Sequence, residues 1–119
     1  SGAMRTSDGS VLGTIGYMAP EQLQGEVDRV STRSDVYSLG AMLFELLARE
    51  PLHRGSAAIQ ALSSLKTDGA RPRDRRADGA VSERLDQLCF AALGADPDQR
   101  LESAKAIADA IDEHLSSGR

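Results

Sequence analysis

Aromatic side chains are scarce here: two Tyr, two Phe and no Trp in 119 residues. A core short of large rings has to be filled by Leu, Ile, Val, Met and Ala, a set that favours helices. Cysteine is scarcer still. The single Cys89 excludes an internal disulfide and fits a reducing compartment, so a cytoplasmic location is expected. No apolar run approaches the roughly 20 residues that a membrane-spanning helix needs. Positive charge is not in excess either: 14 Lys and Arg stand against 18 Asp and Glu, a net charge of −4. No general attraction to nucleic acid or acidic lipid is therefore expected. Arg71, Arg73, Arg75 and Arg76 crowd one stretch, but Asp74 and Asp78 are interspersed among them. His53 and His114 share no metal-ligand spacing, and no metal is expected.

The 40% of hydrophobic residues suffices for one modest core and a single domain. Ser1-Gly2-Ala3-Met4 has the look of a cloning scar, with a natural start at Met4 as the alternative. Residues 5–13 show no periodicity and read as an exposed loop. Pro20 is suited to open a short helix to Gln24, which Gly25 would end. Either Ser31 or Ser34 can cap the next helix, with Asp35 in its first turn at the positive end of the dipole. From Val36 to Ala48 that helix is apolar nearly all round, so it should be the central element, stopped by Pro51. Gly40 inside it points to a close approach by a neighbouring backbone.

Ser56 can cap a helix to about Lys66 with Ile59, Leu62 and Leu65 on one face. Residues 67–80 read as turns. Ser82 caps a helix carrying Leu85, Leu88, Cys89, Ala92 and Leu93, where Cys89 reads as a buried structural thiol. Ser103 caps the last helix, with a stripe of Ala104, Ile107, Ala108, Ile111 and Leu115. No strand pattern or internal repeat appears. The expected fold is all-α with about five helices.

Three segments carry a resemblance: Gly13-Thr14-Ile15-Gly16-Tyr17-Met18-Ala19-Pro20-Glu21, then Ser34-Asp35-Val36-Tyr37-Ser38-Leu39-Gly40, then Asp96-Pro97-Asp98-Gln99-Arg100. In this order they resemble the C-terminal lobe of a eukaryotic-like, bacterial Hanks-type serine/threonine protein kinase, from about Thr6 to His114. The resemblance divides the chain into a scar (1–4), an activation segment with a substrate-pocket loop (5–18), a helical C-lobe subdomain (19–116) and a tail (117–119).

On that resemblance, Thr14 matches the Thr that touches the catalytic Asp and Lys and helps to orient the substrate hydroxyl. Val11, Ile15 and Met18 match positions shaping the pocket for the residue after the phosphoacceptor; all are apolar, implying an apolar residue there. A plain core role for Ile15 and Met18 is the alternative. Gly16 stands where some relatives carry an acid that pairs with a substrate Arg. Glu45 matches another such acid, with a satisfied helix acid as the alternative. Ser10, Thr6 and Ser7 are candidate phosphorylation sites, with solvated loop hydroxyls as the alternative. Glu21 and Arg100 are implied to form a structural ion pair between the activation segment and the helical subdomain. Asp35 resembles an acid that anchors the catalytic-loop backbone, and Met42 and Leu46 match positions supporting the hydrophobic spine beneath the adenine. The alternatives are a helix-dipole acid for Asp35 and plain core for Met42 and Leu46.

Phosphoryl transfer needs a phosphate-covering loop, a Lys–Glu pair, a catalytic Asp and Mg²⁺-binding Asp and Asn. The sequence contains no Gly-x-Gly-x-x-Gly, no Val-Ala-x-Lys and no His-Arg-Asp-x-x-x-x-Asn, and Asp8-Gly9 has no Phe between its residues. No catalytic residue and no cofactor are therefore assigned to this stretch; ATP and Mg²⁺ belong to the parent kinase. Two function classes stand. One is a piece of a serine/threonine kinase, inactive alone, whose partners are a protein substrate and the remainder of the kinase domain. The other is a kinase-like scaffold that binds a partner or self-associates. Loss of cover over the central helix would expose Met42 and Leu46, so a homodimer through that helix is expected.

Overall fold

In the computed structural model, which describes residues 15–117, six helices of four residues or more and no strand occur among the described residues. They are α1 (Pro20–Leu23), α2 (Thr32–Ala48), α3 (Ala57–Lys66), α4 (Pro72–Arg75), α5 (Glu83–Ala92) and α6 (Ala104–Ser117). Single 3-10 turns lie at Val27–Arg29 and Pro97–Gln99. The all-α expectation holds. The helix not read from sequence is α4, one turn long and too short to carry a period; Pro72 at its start supplies the helical φ.

The long helix α2 sits at the centre, packed against α4, α5 and α6. Ser31 rather than Ser34 caps it, its hydroxyl oxygen accepting from the Arg33 amide at 3.1 Å. Ser34 faces inward and accepts from the Ser31 amide at 3.2 Å. At the other end, the turn to Arg49 in the left-handed region (φ 63°) terminates the helix before Pro51 is reached. One face of α2, Tyr37, Ala41, Phe44 and Ala48, packs with Ala19, Leu52, Cys89 and Leu93. A second contact set joins Val36 to Ala92 and Ile107.

Two of the four aromatic rings, Tyr37 and Phe44, are thus among the largest fully buried side chains, which corrects the expectation of a core built from aliphatic residues. Burial of each ring contributes about 1.5–3 kcal/mol. Cys89 is fully buried, and burial, aided by Asp86, pushes its thiol up to about 12.

Gly40 faces α5, where a Cβ would lie 2.7 Å from Ala92 Cβ and 3.2 Å from the Leu93 side chain. The approaching atoms are side chains, not the backbone expected from sequence. Gly40→Ala is predicted to destabilise the fold by about 1 kcal/mol or more, read as a lower urea midpoint. Overpacking of ~1–3 kcal/mol against a short, inflexible Ala side chain outweighs the ~1 kcal/mol of helix propensity that Ala gains.

Two apolar stripes are oriented otherwise than their period implied. On α3, Ile59, Leu62 and Leu65 point outward (57%, 54% and 40% exposed), while Ala57, Gln60, Ala61 and Ser64 face the body of the fold. On α6, Ile107 is buried and Ile111 partly so, but Ala104, Ala108 and Leu115 are exposed. The stripe there is rotated toward Ala106, Ala110 and His114.

Candidate functional site

The site lies where the segment Ile15–Ala19 meets α1, α2, α3 and the loop before the Pro97–Gln99 turn. Its anchor is the Glu21–Arg100 pair. Glu21 follows Pro20 in the first turn of α1, and its carboxylate meets Ser34 of α2 and Arg100. Both residues are buried. Arg100 Nη1 donates to Glu21 Oε2 at 2.7 Å and Nη2 to Oε1 at 2.8 Å, a bidentate fork.

The remaining guanidinium hydrogens reach the carbonyls of Gly94 (2.7 Å), Arg33 (2.9 Å) and Ala95 (3.3 Å), so all five donors are used. The Ser34 hydroxyl donates to Glu21 Oε2 at 2.6 Å. The Tyr37 ring lies 5.1 Å from the Arg100 guanidinium carbon. Burial alone would raise the Glu21 pKa, but the hydrogen bonds from Arg100 and Ser34 outweigh it and hold the carboxyl below its ordinary value.

Upstream of that pair, Ile15 is buried and Met18 half-buried, and the Met18 amide donates back to the Ile15 carbonyl at 3.2 Å. Ile15 therefore occupies a core position, whereas Met18 keeps part of its surface open. The Ser38 hydroxyl holds the intervening turn by donating to the Tyr17 carbonyl at 2.7 Å. The Tyr17 hydroxyl donates to Glu45 Oε1, and that bond is the main reason its pKa is raised. Glu45 is thus satisfied within the chain. Gly16 lies in the same turn, half-buried.

The remaining sequence-read residues are not gathered into this site. Asp35 is exposed in the first turn of α2. Met42 and Leu46, 47% and 75% exposed, stand outside the contact sets that bury Ala41 and Phe44, which overturns the reading of plain core residues. Thr6, Ser7, Ser10, Val11 and Thr14 lie outside the described residues. The arginine cluster forms no open basic patch. Arg71 faces Asp86 at 2.9 Å, Arg73 faces Glu83 at 3.8 Å, Arg75 faces Glu50 at 2.7 Å and Arg76 faces Asp78 at 3.3 Å. No helix among the described residues is long and apolar enough to cross a membrane.

Sequence reasoning missed His53. It is 3% exposed, and its ring nitrogens contact the hydroxyls of Tyr37 (2.9 Å) and Ser63 (2.8 Å). Nothing local marks it, because its partners come from two helices on either side of it in sequence. Burial, with the Arg75 charge nearby, lowers its pKa from 6.5 to about 4.

Comparison with known proteins matches residues 3–111 to the protein kinase domain family. The serine/threonine-protein kinase PknB of Mycolicibacterium smegmatis is 40% identical over 111 residues, 92% of this chain and 17% of that protein. PknB of Mycobacterium tuberculosis is 36% identical over 115 residues, 96% of this chain and 18% of that protein. The tyrosine-protein kinase MasK of Myxococcus xanthus is 36% identical over 115 residues, 95% of this chain and 17% of that protein. The chain therefore spans 17–18% of the length of these curated relatives.

Proposed function

The chain belongs to the protein kinase family, and on that basis we propose that it is the substrate-docking and helical scaffold portion of a serine/threonine protein kinase, inactive by itself. The observation that carries this reading is the buried Glu21–Arg100 fork, which ties the segment following Thr14 to the helices behind it. A segment that must present a pocket to a protein substrate needs such a rigid support, since misplacement of a positioning group by about 1 Å costs on the order of 100-fold in rate. In this reading Thr14 orients the acceptor hydroxyl. Val11, Ile15 and Met18 shape an apolar pocket beside it, and Ser10, Thr6 and Ser7 are the candidates for activating phosphorylation.

ATP and Mg²⁺ supply the phosphoryl group and neutralise its charge. The residues present do not fit them: the phosphate-covering and catalytic-loop motifs do not occur in the sequence, and no three His, Cys, Asp or Glu side chains among the described residues are grouped for a metal ion. The anchor role of Asp35 and the spine role of Met42 and Leu46 belong to contacts with the remainder of the kinase domain.

The test is phosphoryl transfer to a Ser/Thr-containing protein with ATP and Mg²⁺. No transfer is expected from the chain alone, and transfer is expected once it is joined to upstream kinase sequence carrying the missing motifs. Transfer by the chain alone, or none from the joined protein, would sink the reading.

A second reading is a scaffold that self-associates, favoured by the exposure of Met42 and Leu46 on the central helix. Light scattering across a dilution series should then give a dimer mass independent of concentration. A monomer throughout would remove this alternative.

A further inference from the structure

The His53 contacts continue into a chain of four hydroxyl and imidazole groups that ends on the backbone of the docking segment. Ser63 Oγ lies 2.8 Å from His53 Nδ1, and His53 Nε2 lies 2.9 Å from the Tyr37 hydroxyl. The Tyr37 hydroxyl lies 3.2 Å from Ser64 Oγ, and Ser64 Oγ donates to the Met18 carbonyl at 3.4 Å. The links come from α2, α3, the loop between them and the segment before α1.

Donor counting gives the chain a direction. Ser64 has one hydroxyl hydrogen, which goes to Met18, so the Tyr37 hydroxyl must donate to Ser64. Tyr37 then has only its oxygen left for His53, so Nε2 must carry the imidazole proton. Nδ1 is left as the acceptor for Ser63. Every group in the buried chain is then satisfied once as donor. In the opposite direction, with Nδ1–H donating to Ser63, Tyr37 donates to Nε2 and the single Ser64 hydrogen cannot serve both Tyr37 and the Met18 carbonyl, so one link of the chain is lost.

We propose that His53 is a positioning residue: as the neutral Nε2–H tautomer it heads a relay through Tyr37 and Ser64 that fixes the Met18 carbonyl and with it the Ile15–Ala19 turn. The substrate role of that turn rests on the kinase reading above; the relay itself does not. The charged groups around the imidazole agree with a neutral ring. Arg75, from α4, is the cation nearby, and Arg100 stacks on the far partner Tyr37. Glu21, the nearest acid to Tyr37 in this network, is already committed to Arg100 and Ser34.

Two measurements on the chain test this. The ¹⁵N shifts of His53 at pH 7 should show a protonated Nε2 and an unprotonated Nδ1. Amide hydrogen exchange at Met18 should quicken about three- to tenfold in His53→Phe, which keeps a ring but removes both nitrogens. Ile111 in α6 serves as the distant reference. His53→Gln, able to place an N–H where Nε2 stands, should restore Met18 protection; a purely space-filling role would favour Phe over Gln. Should His53→Phe not fold, Tyr37→Phe deletes the same link while keeping its ring on Arg100, and the same Met18 effect is expected.

An Nδ1–H tautomer, or Met18 exchange that moves no more than that of Ile111, would overturn the relay. Neither measurement involves ATP or substrate, so failure of the kinase reading would leave both results as they stand.

Discussion

Arg100→Ala is expected to lower the unfolding free energy by about 3–5 kcal/mol, because the substitution strands the Glu21 carboxylate in a buried site. That is a large share of the roughly 5–15 kcal/mol that holds a domain of this size together. The loss is more than one ion pair. Arg100 also ties down the carbonyls of Arg33, Gly94 and Ala95, which belong to the start of α2 and the loop after α5. Arg100→Lys keeps the charge but not the five-donor fork, so an intermediate loss is expected. Urea unfolding followed by circular dichroism reads both variants, and the cycle with Glu21→Gln isolates the pair. Additive effects of Glu21→Gln and Arg100→Ala would mean that the two side chains are not coupled. An unchanged midpoint for Arg100→Ala would contradict the buried geometry outright.

Acid should destabilise the fold in two successive windows. His53 is held below its ordinary 6.5, at about 4, by burial and the Arg75 charge. Its folded pKa is therefore lower than its unfolded one, and between these values the unfolded chain binds a proton that the folded chain refuses. Stability from the neutral imidazole is full above about pH 6.5 and falls until about pH 4, by on the order of 3 kcal/mol. Glu21 acts in the window below. Its folded pKa lies under the ordinary 4.5, so its contribution is present above that value and is lost as pH falls through the folded value.

The groups facing His53 (Tyr37 from α2, Ser63 from α3 and Arg75 from α4) introduce no acid that would favour the imidazolium. Urea midpoints measured from pH 7.5 to 4 should fall for the wild-type chain. In His53→Gln the decline should be absent between pH 6.5 and 4.5. A flat wild-type profile across that range would show that the buried imidazole does not resist protonation.

The helix content and most helix starts could be read from the sequence because their causes are local. A capping hydroxyl reaches an amide two or three residues on, as Ser56, Ser82 and Ser103 do for Ile59, Leu85 and Ala106. Gly25 likewise follows α1 with φ at +69°, a conformation open to Gly without strain. The central place of α2 followed from an apolar surface too wide for one partner.

Which face turned inward was a tertiary matter. The period of α3 was legible, yet the fold buries Ser64 and leaves Ile59, Leu62 and Leu65 outside, because the hydroxyl meets Tyr37 and Met18 across the helix boundary. The Glu21–Arg100 fork joins residues 79 apart and came into view beforehand only through the family resemblance. His53 had no such guide. Its role exists only where a loop residue, a helix tyrosine and two serines of another helix converge, and periodicity and capping, which act within a few residues, carry no record of that meeting.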